Sequence, residues 1–181
     1  MDSVRGQLLV ASPALVDPNF QRSVVLVAEH TDDGAMGVIV NRRSSASVSA
    51  TVPALLGFSG VDDSLFLGGP VRPSAVLVVA EFSDSDQAGI LVTDRIGFIS
   101  AEADVDQLTQ FTDRARVFAG YAGWGAGQLE GEIEQADWLL ARALEDDVFS
   151  EAPETLWGSV LERMGPRFAL LARMPEDPSV N

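Results

Sequence analysis

Side chains able to move a proton or hold a charge gather early in this chain. Asp17, Arg22, Glu29, His30 and Asn41 lie on or beside two apolar runs, Ser23 to His30 (SVVLVAEH) and Met36 to Asn41 (MGVIVN). His30 is the only histidine. An imidazole is the side chain best matched to acid–base work near neutral pH, so His30 is the candidate catalytic residue. A Ser–His–Asp relay could draw on it, but no GxSxG elbow is present to aim a serine. A single histidine excludes a multi-histidine metal centre, and the absence of cysteine excludes thiolate ligands and thiol nucleophiles. Carboxylates alone could still hold Mg²⁺ or Ca²⁺. All 12 basic residues are arginine, which removes lysine nucleophiles and Schiff bases. No metal and no cofactor is expected. Each candidate also has a quieter role open to it: Asp17 before Pro18 as a turn former, Asn41 bonding local backbone, His30 as a turn partner. If the two runs pair as a hairpin, Glu29 and His30 lie near the turn. Arg22 and Asn41 then meet at the opposite end, so the five need not form one site.

A second concentration of informative residues is Ala119 to Leu139 (AGYAGWGAGQLEGEIEQADWL), where Gly120, Gly123, Gly125 and Gly127 follow an apolar run. This reads as a strand entering a tight turn and then a helix from Ala126, with Leu129, Ile133 and Ala136 on its apolar side. Glu130, Glu134 and Asp137 line its other face, most simply as a solvated surface. A phosphate cradle does not fit, because no GxGxxG passes through these glycines and acids crowd the helix start. Tyr121, Trp124 and Gln128 could form a ligand or partner surface. The structural alternative is that the glycines allow a close-packed turn over which both rings fold.

These residues sit among many short strand candidates. Gly6 to Ala11, the hairpin closed at Asp33-Gly34, Leu65 to Val71, Ala75 to Phe82, Gly89 to Thr93, Ile96 to Ser100 and Arg116 to Tyr121 all read as strands. Arg42 to Ala50 reads as a loop, and Thr51 to Gly57 as a short helix capped by Thr51. Asp104 should cap a helix through Thr112, and Pro153 should start one that Gly165-Pro166 stop. Trp138 to Ala141 fits either a strand or a helix end, and Pro166 to Arg173 a closing strand. Gly68-Gly69-Pro70 ends its strand in a turn that lets backbone reverse or approach another element closely, and Gly68 and Gly69 are candidate binding positions. Many strands with helices inserted late indicate an α+β fold.

Five segments carry a resemblance to a known family: AGYAGWGAGQLEGEI, DPNFQRSVVLVAEH from Asp17, GAMGVIVNR from Gly34, LFLGGPV from Leu65 and, more weakly, EDDVFSEAPETLWGSVLERMGP. On these the sequence resembles the YqgE/AlgH family of bacterial proteins. One departure is Arg43, where relatives commonly have proline. The resemblance implies an α+β fold built on a bulged, barrel-like mixed β-sheet flanked by helices. The family is largely uncharacterised, and some members carry a transcriptional-regulator label.

At 181 residues and 46% hydrophobic content the chain supports one globular domain, read as residues 1–174 with 175–181 as a disordered tail. The start of the chain has no basic segment followed by a long apolar run, so a cytoplasmic protein without a signal peptide or membrane span is expected. A net charge of −15 opposes approach to a polyanion, and direct nucleic-acid binding is not expected. The leading reading is a cytoplasmic, non-enzymatic binding or regulatory protein with a protein or small-molecule partner, using among others Arg22, His30, Asn41, Gly68, Gly69, Tyr121, Trp124 and Gln128. The alternative is a hydrolase-like enzyme with His30, Arg22 and Asn41 in one pocket, and a second alternative, from the family label, is a transcriptional regulator. Ligand, partner and oligomeric state are not legible.

Overall fold

The hairpin is where local sequence decides most. In a computed structural model describing residues 2–58 and 60–174, β1 (Gln7–Ala11) is followed by β2 (Val24–Thr31) and β3 (Gly34–Ile39). The last two pair antiparallel, with Thr31 opposite Gly34 and a register shift between Val27 and Glu29. The run Val24–Ala28 is buried on both faces of the sheet, which explains an unbroken apolar string where a half-exposed strand would alternate. The expected loop after Asn41 is instead β4 (Arg43–Ser47) and helix α1 (Val48–Thr51). Thr51 ends this helix, and the cap is Ser47, whose side chain accepts from the Ala50 N–H.

Further along come β5 (Ser64–Leu67), β6 (Val71–Phe82), β7 (Ile90–Leu91) and β8 (Ile96–Phe98). Helix α2 (Val105–Leu108) is capped by Asp104 as its sequence requires. The long strand β9 (Thr112–Gly125) leads to α3 (Gln128–Glu134), β10 (Trp138–Arg142), α4 (Glu145–Val148) and α5 (Pro153–Arg163). The closing segment is helix α6 (Pro166–Ala172), not a strand. Pro166 occupies its first turn, where a missing N–H costs nothing, and Phe168, Leu171 and Ala172 reach the core at helical spacing. A tail at 175–181 lies outside the described residues.

The strands form one ten-stranded sheet in the order β10-β1-β2-β3-β9-β6-β8-β7, with β5 alongside β9 and paired to β4. The β5–β9 pair is parallel and the other pairs are antiparallel, so the sheet is mixed. It is bulged at several registers and curls without closing: the Arg5 guanidinium donates to the Leu91 carbonyl, bringing the two sheet ends near each other with no ladder between β7 and β10. Six helices flank it among the described residues, and the chain is a single α+β domain. Helix α5 packs Leu156, Trp157, Val160 and Leu161 against a core that includes Leu8, Leu26, Phe66 and Phe118. A second core holds Trp124, Trp138 and Leu129, and a third lies between β6, β9, α1 and α2. No helix among the described residues is long and apolar enough to cross a membrane.

Candidate functional site

The structure separates the residues that could do chemistry. His30 sits at the turn end of β2, and Arg22 and Asn41 sit at the other, roughly 25 Å away at strand rise per residue. The pocket shared by His30, Arg22 and Asn41 is therefore not formed. His30 is buried, and its Nδ1 accepts from the Val4 N–H at 3.1 Å. That bond leaves Nε2 to carry the ring hydrogen, 3.2 Å from Glu130 Oε1. Both ring nitrogens are committed, and the Ser3 hydroxyl donates to the His30 carbonyl, away from the ring. The Glu130 carboxylate is held below its usual value of 4.5, first by its own backbone N–H and, against partial burial, by the His30 ring. Its Oε2 is buried with no hydrogen-bond partner among the described residues. Glu29 beside His30 points to solvent.

At the far end, Asn41 stitches the hairpin: Oδ1 accepts from the Val24 N–H at 2.8 Å and Nδ2 donates to the Arg22 carbonyl at 2.9 Å. Arg22 lies over the Trp157 ring at 4.8 Å and donates to the Met174 carbonyl. Asp17 caps its own turn through the Asn19 N–H. Among the described residues, no three histidine or acidic side chains converge as metal ligands.

The glycine stretch is woven into the fold. Strand β9 runs through Gly120, Gly123 and Gly125, past the expected strand end at Tyr121, and the turn falls at Ala126-Gly127. Trp124 is 6% exposed and packs with Phe20 and Trp138. Glu132, absent from the sequence-derived candidates, locks this corner. Its Oε2 accepts from the indole N–H groups of both Trp124 and Trp138 at 2.8 Å, and its Oε1 accepts from Gln128 at 2.9 Å. Gln128 in turn accepts from the Gly125 N–H at 3.0 Å. Tyr121 is half-buried against the first core. Gly68 and Gly69 lie where β5 and β3 meet one edge of β9: a Cβ on Gly68 would sit 2.2 Å from the Gly120 carbonyl oxygen, and one on Gly69 2.2 Å from the Tyr121 carbonyl carbon. Close backbone approach accounts for both.

Open space lies elsewhere. An apolar groove of about 610 Å³ runs between β6, β7, β8 and the segment leading to α2. Leu55, Val76, Ile90, Phe98, Ile99 and Val105 are among its walls, Ser100 contributes a hydroxyl, and no charged side chain lines it. Val76 and Ile90 are 38% and 46% exposed. A second cleft of about 210 Å³ is lined by Arg43, Arg114 and Arg116 with Asp62, Gly60, Phe149 and others. Sequence reading missed both because their walls come from segments far apart in the chain. The one local signal was the alternation Arg114-Ala115-Arg116, which aims two guanidiniums to the same face of a strand.

A single-domain α+β protein with a curled mixed sheet, an apolar groove and an arginine-lined cleft is thus the class defined by fold and site. The AlgH-like family model matches residues 8–169, and the chain belongs to that family. It is 40% identical to a UPF0301 protein of Streptomyces avermitilis, covering all of this chain and 97% of that one. It is 38% identical to a UPF0301 protein of Mycobacteroides abscessus, covering 97% and 87%. The crystal structure of a Corynebacterium diphtheriae protein superposes with a TM-score of 0.87 at 29% identity, over 95% of this chain and 93% of that one. The solution structure of the AlgH protein from Pseudomonas aeruginosa gives 0.72 at 26%, over 96% and 95%.

Proposed function

We propose that this protein is a binding protein whose ligand seat is the apolar groove between β6, β7, β8 and α2, and that its ligand is an uncharged, largely apolar small molecule. The observation that carries this is the lining. In a chain with 22% charged residues, a groove of about 610 Å³ without one charged wall is a selected environment. Its volume lies within the range of about 300–1,000 Å³ that small-molecule ligands fill. Burying Val76 and Ile90 under such a ligand removes apolar surface from water, which is the main source of affinity available to a site with a single hydroxyl. Acid–base chemistry has no role in this reading, in keeping with a histidine whose two ring nitrogens are already bonded.

The test uses a solvatochromic apolar dye added to the intact protein. The wild type should bind it saturably with enhanced emission. Ile90→Asp puts a carboxylate into the groove from a position that is already half exposed, and should weaken binding about tenfold or more while leaving the melting temperature close to wild type. Equal binding by the variant and the wild type would place the dye elsewhere and overturn the proposal.

A further inference from the structure

Arg116 is 8% exposed, and its charge rests on backbone and a ring. Its two terminal nitrogens donate to the Val148 and Ser150 carbonyls at 2.8 and 2.9 Å, and its guanidinium lies 4.2 Å over Phe66. Among the described residues it is in no ion pair, nor is Arg43, which lines the same cleft and donates to the Glu151 carbonyl at 3.0 Å. Arg114, the third guanidinium there, is neutralised by Glu81 and Asp146. Carbonyls offer partial charges only, so a buried guanidinium held by them is under-compensated. Burial accordingly pulls the Arg116 guanidinium down to about 10; the Asp62 carboxylate opposes that shift in part, and the positive neighbours Arg43 and Arg114 add to it.

We infer that the cleft lined by Arg43, Arg114 and Arg116 is a second ligand site, for a small oxyanion of the phosphate or carboxylate kind. Two guanidiniums that line one cleft outside any ion pair among the described residues supply the forked donors that such anions accept. The volume of about 210 Å³ admits the anionic group alone and falls short of what whole drug-sized ligands occupy. Asp62 and Glu151 also line the cleft, and both oppose an anion. Both are exposed, however, and Asp62 is turned to the Ser64 N–H at 2.8 Å, so water screens them far better than it screens Arg116. An anion of suitable size would complete the charge balance that the fold leaves open. Overall charge of −15 makes the cleft a local exception and predicts that its anions are small, since a polyanion would meet the surrounding field.

The experiment titrates inorganic phosphate into the full chain at constant ionic strength and follows the arginine Nε–Hε NMR signals. Acetate is titrated in parallel. Signals of Arg43 and Arg116 should shift saturably with at least one of the two. Arg43→Gln should weaken that binding about tenfold, the loss expected for one charge-assisted contact. Arg167→Gln, which removes the same charge from an exposed position outside the cleft, should leave it unchanged. Three results overturn the inference: no saturable shift with either anion, wild-type affinity in Arg43→Gln, or equal weakening in both variants. The last would reduce the effect to net charge.

Discussion

Glu132 shows how a residue with no distinctive sequence context can govern a corner of the fold. Sequence spacing puts Glu130, Glu134 and Asp137 on a solvated face, yet Glu130 turns to His30, and Glu132 gathers two indoles and an amide. The packing of Trp124 was legible from its place in an apolar, glycine-rich stretch. Its partner was not, because Glu132 meets Trp138 and Trp124 only after α3 folds back between β9 and β10. Glu132→Ala leaves two poorly exposed indole N–H groups without an acceptor. An unmet buried donor costs about 1–3 kcal/mol, so the variant should lose about 2 kcal/mol or more. For a domain of this size the melting temperature should fall by roughly 4–8 °C, with a shift in tryptophan emission. Unchanged melting and emission would mean that water serves the indoles equally well. His30 teaches the complementary lesson. Its uniqueness marked it as a catalytic candidate, whereas its surroundings make it a fastener between the N-terminal segment and α3.

At the scale of elements, the sequence was readable wherever a local rule decided the outcome. The paired runs around Asp33-Gly34, the Asp104 cap and the Pro153 helix start all follow from short-range chemistry. Strand β4 was not readable, since Arg43–Ser47 lacks any apolar alternation and is a strand only because β5 lies beside it. The α6 segment reads as a closing strand in sequence but is a helix, because a short apolar run fits both periods. The four glycines from Gly120 to Gly127 look alike in sequence but differ in the fold. Gly120 has φ +70, and a Cβ there would lie 2.5 Å from the Gly69 carbonyl oxygen. Gly123 is an exposed strand residue whose Cβ would meet nothing nearer than 3.7 Å. Gly120→Ala should therefore cost about 3 kcal/mol or more, combining left-handed backbone strain with displacement of the backbone from Gly69 to Pro73 at the start of β6. Gly123→Ala should be neutral or stabilising by about 0.5 kcal/mol, because it restricts the unfolded chain at no native cost. Denaturant melts of the pair decide this. Similar losses in both would show that the stretch is uniformly strained.

Across the whole molecule the net charge is −15, the arginine cleft is a small positive exception, and the apolar groove carries no charged wall. Neither opening was visible in the chain as written: Leu55, Val76, Ile90, Ile99 and Val105 belong to five separate segments, each an ordinary apolar position by itself. The curl of the sheet between β3 and β8 brings them to one surface. Binding of an uncharged apolar ligand in this groove is the central claim, and methyl NMR locates such a ligand directly. With isoleucine δ-methyl groups labelled and an apolar probe titrated in, the signals of Ile90 and Ile99 should move together and saturate. Those of Ile39 and Ile133, which belong to the second core, should stay in place. Movement of Ile39 or Ile133 with Ile90 and Ile99 unmoved would contradict the account.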